Sequence, residues 1–205
     1  MTEIAAVILA GGLGTRLGGA RKAELQVGGV RLIDRVVAAL GDSVRPILVA
    51  SGHHDGLVLA LPAGCIPVAD LTAGSKGPIA GLAAAAHWLA ANHPHDFLLS
   101  VAVDTPFFPT DFAARALAVM GDSVDVAVAA YAGQSYPTNA LWRRASLKTL
   151  PRRLIAGKAP SGPRGLIAEL HSIQLEWPRE AAGDPFENVN TEADLAALEH
   201  RARGP

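Results

Sequence analysis

Short, continuously apolar runs alternate with longer amphipathic segments along the first two thirds of the chain: residues 5–9, then 32–40, then 46–50, with 79–91 preceding 97–101. The short runs predict buried strands and the longer ones helices, which together make a βαβ rhythm. Strands that are apolar on both faces need helices over both sides of a mostly parallel sheet. A helix beginning near Thr110 leads to a further apolar run at 124–130. The expected fold is α/β: a three-layer α/β/α sandwich with a mostly parallel, Rossmann-like sheet.

Beyond Ala130 the pattern loosens into Gly/Ser/Pro-rich connections at 133–137 and 157–165, enclosing a predicted helix over 144–155. Thr191, with Asp194 at the capping-box position, predicts a last helix running to about Arg203.

Composition narrows the functional classes. The 205 residues are half hydrophobic, enough for one sizeable core and short for two, so a single domain over 1–205 is expected. The formal net charge is −1 and there is no long run of like charge, which argues against a nucleic-acid clamp and for a small ligand. The lone Cys65 cannot form an internal disulfide, and the N-terminus enters an apolar run without a basic region or cleavage site, so a cytoplasmic location is expected. The Ala/Leu-rich stretch 79–91 is interrupted by Gly81 and His87 and is too short for a bilayer, so no membrane span is expected.

The strongest chemical signal is LAGGLGTRLGG, in which a strand ending at Leu9 runs into Gly11, Gly12, Gly14, Gly18 and Gly19. Glycine loses more backbone entropy on folding than any other residue, so this concentration points to φ > 0 geometry or to a backbone that must approach a ligand closely. Successive N–H groups in such a loop make an anion-binding concavity. Arg16 and Lys22 lie in and just beyond it, placed to neutralise a triphosphate whose leaving group is pyrophosphate. A Walker A loop is excluded, because the Gly157-Lys158 pair is followed by Ala159 rather than Ser or Thr. A dinucleotide fingerprint fits poorly: Leu17 stands where its third glycine belongs, and Asp34 falls inside a helical pattern rather than at a strand end.

LAGGLGTRLGG followed by Lys22 resembles the glycosyltransferase-A-like nucleotidyltransferases. Asp70 followed by GPIAGL, then VAVDTPFFP, PTNALW and DPFENVNTEADL, come in the order seen in the molybdenum cofactor guanylyltransferase (MobA) family, so the resemblance spans nearly the whole chain. It implies transfer of GMP from GTP to Mo-molybdopterin, with Mg²⁺ as cofactor and transient contact with molybdenum cofactor-handling proteins. It also implies a nucleotide-binding half over about 1–130 and an acceptor-side half over about 131–205. Cytidylyl transfer to molybdopterin, nucleotidyl transfer to a sugar or alditol phosphate, and a catalytically silent nucleotide-binding protein are the alternatives.

Asp104 stands just past the strand 97–101, and in open α/β sheets ligands bind outside the carboxyl ends of the strands. One aspartate suffices for Mg²⁺, which completes its shell with substrate phosphates and water. The resemblance makes Asp104 the metal ligand and Asp70 a nucleotide-site residue, beside Leu9, Ala10, Gly11, Gly12 and Lys22. It puts Asn188 and Asn190 near the acceptor. Arg16, Lys22 and Asp104 form the expected catalytic set. His53-His54 and His93-x-His95 lack further ligands at zinc spacing and read as surface-loop histidines, Cys65 as a buried thiol, and Trp142 as a packing residue.

Three departures from the family stand out. Arg21 occupies a position where the family carries aspartate, Ala50-Ser51-Gly52 lacks the asparagine often found there, and 162–170 keeps only Arg164 of a basic acceptor-side pattern.

Overall fold

The computed structural model describes residues 3–11, 13–14, 20–52, 59–73, 77–92, 95–179 and 183–204, the side chains of 13, 14 and 20 excepted. In chain order its main elements are β1 (Ile4–Leu9), α1 (Leu32–Leu40), β2 (Val44–Ala50), β3 (Cys65–Pro67), α2 (Pro78–Asn92), β4 (Phe97–Ala102) and α3 (Phe112–Val119). There follow β5 (Val126–Tyr131), β6 (Gln134–Arg143), α4 (Leu150–Ile155), α5 (Pro163–Ile167), β7 (Ser172–Trp177) and α6 (Glu192–Ala202). The sheet has the order β7-β5-β6-β4-β1-β2-β3. Neighbours are parallel except for β6, which runs antiparallel to both β4 and β5.

The two faces of β1 show why both sides of the sheet are covered. Ala6 and Ile8 join a core with Ile33 and Val36 of α1 and with Phe112 and Ala116 of α3. Ala5 and Val7 face the other way, into a core built on α2, with Leu150 of α4 and Leu166 of α5. Successive strand side chains point to opposite faces, so an unbroken apolar run feeds two cores at once. The three-layer sandwich expected from the sequence is the one observed.

The buried residues of helix α2 are mostly alanine and glycine, small enough to let it pack close to the sheet. A Cβ built on Gly81 would lie 2.8 Å from Ala50 Cβ and 2.9 Å from Leu9 Cδ2, at the carboxyl ends of β2 and β1. Gly81→Ala would gain up to about 1 kcal/mol of helix propensity but incur about 1–3 kcal/mol of overpacking. The overpacking should prevail, lowering Tm by roughly 2–6 °C. A raised Tm in a thermal melt would mean that α2 can move away from the sheet.

The second half differs from expectation in three places. Residues 133–137, expected as a connection, instead hold a tight hairpin and the start of β6. Ala132 and Gly133 take φ 53° and 81°, the left-handed pair of a two-residue hairpin turn, and Gln134 pairs with Tyr131. Pro137 is tolerated because the β6–β5 register slips between Tyr136 and Ala140, where no ladder N–H is required of it. The helix expected over 144–155 is broken into a 3₁₀ turn, Arg144–Leu147, and α4, because Pro151 has no N–H and sterically disfavours a preceding helical turn. Strand β7 had no counterpart in the sequence reading.

Two single-residue expectations also change. His95 is buried, 7 % exposed, rather than on the surface, and lies 3.8 Å from Glu3. Cys65 is half-buried at the start of the edge strand β3, and burial pushes its thiol pKa up. Trp142 packs as expected: it is fully buried, its Nε1 donating to Ser100 Oγ at 2.9 Å. His53, His54 and His93 lie outside the described residues.

Candidate active site at the ends of the central strands

Strand order changes direction at β1, with β2 on one side and β4 on the other, so the crevice of this sheet opens between the carboxyl ends of β1 and β4. The Val103 N–H donates to the Leu9 carbonyl at 3.3 Å, and the Ala10 N–H donates to the Ala50 carbonyl at 2.8 Å. These bonds fix the start of the glycine loop and the residue before Asp104 against one another. Gly11 follows against Ser51 and Gly52, where a Cβ would sit 3.5 Å from the Gly52 nitrogen.

Asp104 is held by the turn that its own motif makes. The Thr105 hydroxyl donates to the Ala102 carbonyl at 2.6 Å, and the Phe108 N–H to the Thr105 carbonyl at 3.3 Å. Lys22, on a 3₁₀ turn anchored by buried Ala23, reaches into the same crevice. Its Nζ donates to Asp104 Oδ2 at 2.6 Å and to Asn190 Oδ1 at 2.8 Å. The Lys22 and Asp104 side chains are only 14 % and 15 % exposed, so this pair is better shielded than an ordinary surface salt bridge.

Asn190 arrives from the far end of the chain, and its placement has identifiable causes. Phe186 is buried among Phe108, Phe112, Tyr136 and Trp177, with ring centroids 5.4–6.2 Å away. The Tyr136 hydroxyl donates to Asp184, which also accepts the Phe186 N–H at 2.8 Å. Burial and then the Asp184 carboxylate hold the Tyr136 pKa well above the ordinary tyrosine range, so it stays a donor. Arg201 of α6 donates to the Asp184 carbonyl at 2.6 Å and stacks 4.1 Å from the centroid of Phe107. With this segment clamped, the Val189 N–H donates to the Asp104 carbonyl at 3.1 Å.

The capping box of α6 completes the arrangement. Asp194 accepts the N–H groups of Asn190 and Thr191, while the Thr191 hydroxyl accepts that of Asp194. The Asn190 and Thr191 N–H groups hold the Asp194 carboxyl below the usual carboxylate range.

The structure therefore brings together Leu9, Ala10, Gly11, Lys22, Asp104 and Asn190, with Asn188 adjoining. Asn188 is half-buried with a buried Oδ1 that meets no hydrogen-bond donor among the described residues. Asp70 is half-buried in the segment that follows the edge strand β3. Gly12 and Arg16 lie outside the described residues. Arg21, at the position where aspartate was expected, is buried at 7 % exposure. Sequence reasoning overlooked Asn139, in the quoted PTNALW: it is fully buried and its Oδ1 accepts the Ala102 N–H at 2.8 Å. A polar residue between the runs 124–130 and 140–142 was the available signal.

An α/β/α sandwich with a glycine loop after one central strand and a lysine-bound aspartate after its neighbour defines a nucleotide-handling architecture. The chain belongs to the MobA-like NTP transferase domain family, whose model matches residues 6–173. It is 40 % identical over 199 residues to a molybdenum cofactor guanylyltransferase of Rhodopseudomonas palustris (strain HaA2), covering 95 % of this chain and 90 % of the relative. Its fold is similar to the crystal structure of molybdopterin-guanine dinucleotide biosynthesis protein A from Archaeoglobus fulgidus. That match has TM-score 0.70 and 19 % identity, and covers 98 % of this chain and 100 % of that one. It is also similar to Rv0371C from Mycobacterium tuberculosis H37Rv in complex with manganese, with TM-score 0.62 and 18 % identity, covering 97 % and 99 %.

Proposed function

We propose that this chain transfers GMP from GTP to Mo-molybdopterin, forming molybdopterin guanine dinucleotide and releasing pyrophosphate. The observation that carries this reading is the meeting of Lys22, Asp104 and Asn190 in one crevice from three segments far apart in sequence. Family membership and the guanylyltransferase relative support the choice of substrates.

In this reading an oxygen of the acceptor's terminal phosphate attacks the α-phosphorus in line. A new P–O bond forms as the α–β bridging bond breaks, and pyrophosphate leaves with the electron pair. No covalent intermediate on the protein is needed. The protein's part is positioning and charge stabilisation. Backbone groups of Leu9, Ala10, Gly11 and Gly12 receive the nucleotide, Asp70 contributes to the same site, and Arg16 and Lys22 take phosphate charge. Asn188 and Asn190 face the acceptor, so the nucleotide half is about 1–130 and the acceptor half about 131–205.

Asp104 is the residue that would hold Mg²⁺. Its carboxylate already binds a cation, the Lys22 ammonium, in a shielded site. No group of three or more His, Cys, Asp or Glu able to hold a metal occurs among the described residues. A single carboxylate suits an ion that takes its other ligands from phosphate and water. When bound, Mg²⁺ would neutralise developing phosphate charge. The manganese complex of the M. tuberculosis protein of the same fold supports a divalent metal.

No described helix is long and apolar enough to cross a membrane. The proposed enzyme is cytoplasmic and makes transient contacts with molybdenum cofactor-handling proteins. The test is pyrophosphate release from each of four nucleoside triphosphates with Mo-molybdopterin. GTP should be preferred over ATP or CTP by roughly tenfold or more, since each buried polar group left unpaired by a wrong base costs about 1–3 kcal/mol. A preference for CTP would assign cytidylyl transfer. Release only with a sugar or alditol phosphate would change the acceptor, and nucleotide binding without release would make the protein a silent binder.

A further inference from the structure

We infer that Asn139 is the positioning residue of the Asp104 turn: its side-chain amide replaces a missing rung of the sheet at the point where β4 delivers the carboxylate. The inference deepens the reading of Asp104 as the metal ligand and rests on it.

The β6–β4 ladder runs from Arg143↔Phe97 to Ala140↔Ser100 and stops there. Continuing that register would set Ala102, the last residue of β4, opposite Thr138. At that place β6 turns away, its register against β5 slipping between Tyr136 and Ala140. The fork removes the backbone partner of the Ala102 N–H. A buried N–H must find another acceptor. Asn139, the first residue beyond the last ladder pair, supplies it: Oδ1 accepts the Ala102 N–H at 2.8 Å.

The same stretch of backbone is fixed from its other groups. The Ala102 carbonyl accepts the Thr105 hydroxyl at 2.6 Å, and the Val103 N–H binds the Leu9 carbonyl at 3.3 Å. Asn139, Thr105 and Leu9 thus hold the two residues before Asp104 from three directions, and Asp104 can vary little in position. Asn139 and Thr105 are both completely buried. Asn139 Nδ2 is buried and meets no acceptor among the described residues. An amide with half its hydrogen-bonding capacity unused costs stability relative to an apolar residue of its size, so its use in the core is explained by the bond that Oδ1 makes.

Asn139 does not touch substrate, so the decisive measurement is metal–nucleotide binding rather than turnover alone. The affinity of the protein for the Mn²⁺ complex of the α,β-methylene analogue of GTP, which cannot transfer, is read from the Mn²⁺ EPR signal without acceptor. Thermal melts confirm folding. Asn139→Leu keeps the volume and removes the acceptor oxygen, and should weaken this affinity about tenfold or more, the range seen when supports of a metal ligand are removed. Asn139→Asp keeps an acceptor oxygen and should stay within about threefold of the parent, a tolerance set well inside that tenfold loss. Thr105→Val, which loosens the same residue from its carbonyl side, should weaken binding in the same direction, and it decides the matter if Asn139→Leu does not fold.

Parental affinity in folded Asn139→Leu, equal losses in the Leu and Asp variants, or parental affinity in Thr105→Val where that variant decides, would each overturn the inference. Asp104→Asn separates this from failure of the underlying reading: if it binds the Mn²⁺ complex like the parent, Asp104 is not the metal ligand, whatever Asn139 does.

Discussion

Lys22→Ala should lower turnover roughly a hundredfold and, in the absence of nucleotide, bind Mn²⁺ more tightly than the parent. The two effects have one source. Lys22 Nζ lies 2.6 Å from Asp104 Oδ2, so the ammonium stands where a metal ion would meet the carboxylate. A divalent ion has to displace it, and removing the lysine removes that competitor. During the reaction the same charge is needed on the triphosphate. Loss of one such electrostatic donor typically costs about 3 kcal/mol of transition-state stabilisation. Pyrophosphate release gives the first number and Mn²⁺ EPR the second. Unchanged turnover in folded protein would remove Lys22 from the mechanism, while weaker Mn²⁺ binding would show that Lys22 organises Asp104 rather than competing for it.

The first half of the fold was readable because its signals are local. Residues 32–40 are amphipathic and 97–101 almost continuously apolar, and the helix and strand found there match them to within a residue. Strand β7 escaped notice because it is an edge strand of mixed character, with Ile173 37 % exposed and only Trp177 buried. Strand β6 was obscured by Gly133, Ser135 and Pro137, which read as a loop unless the positive φ of Ala132 is known. In the site, the glycine loop, Lys22, Asp104 and Asn190 each carry a recognisable motif. That Lys22 would bind both Asp104 and Asn190 is a long-range fact, set by the packing of Phe186 and by the α6 cap, and no local pattern encodes it. Asn139 illustrates the same limit: its importance comes from where the β6–β4 ladder stops, which the residues PTNALW do not reveal on their own.

Asp104→Asn is expected to shift the Mg²⁺ requirement for pyrophosphate release to at least about tenfold higher concentration, with little loss of stability. Asparagine keeps the size and an acceptor oxygen, and the turn around it is held by backbone and by Thr105, not by the carboxylate. Lys22 would keep its 2.8 Å bond to Asn190 and, at 14 % side-chain exposure, retain some access to water, so its charge would not be stranded in an apolar core. What disappears is the negative charge that a hard divalent cation needs from the protein. The Lys22→Ala/Asp104→Asn double variant sharpens the test. If the two residues act on one metal–triphosphate unit, the double variant should lose clearly less than the product of the single losses, because groups that share a partner are not additive. A parental Mg²⁺ titration in Asp104→Asn would place the metal carboxylate elsewhere. Strictly multiplicative losses would mean that Lys22 and Asp104, although in contact with one another, serve separate steps once substrates are bound.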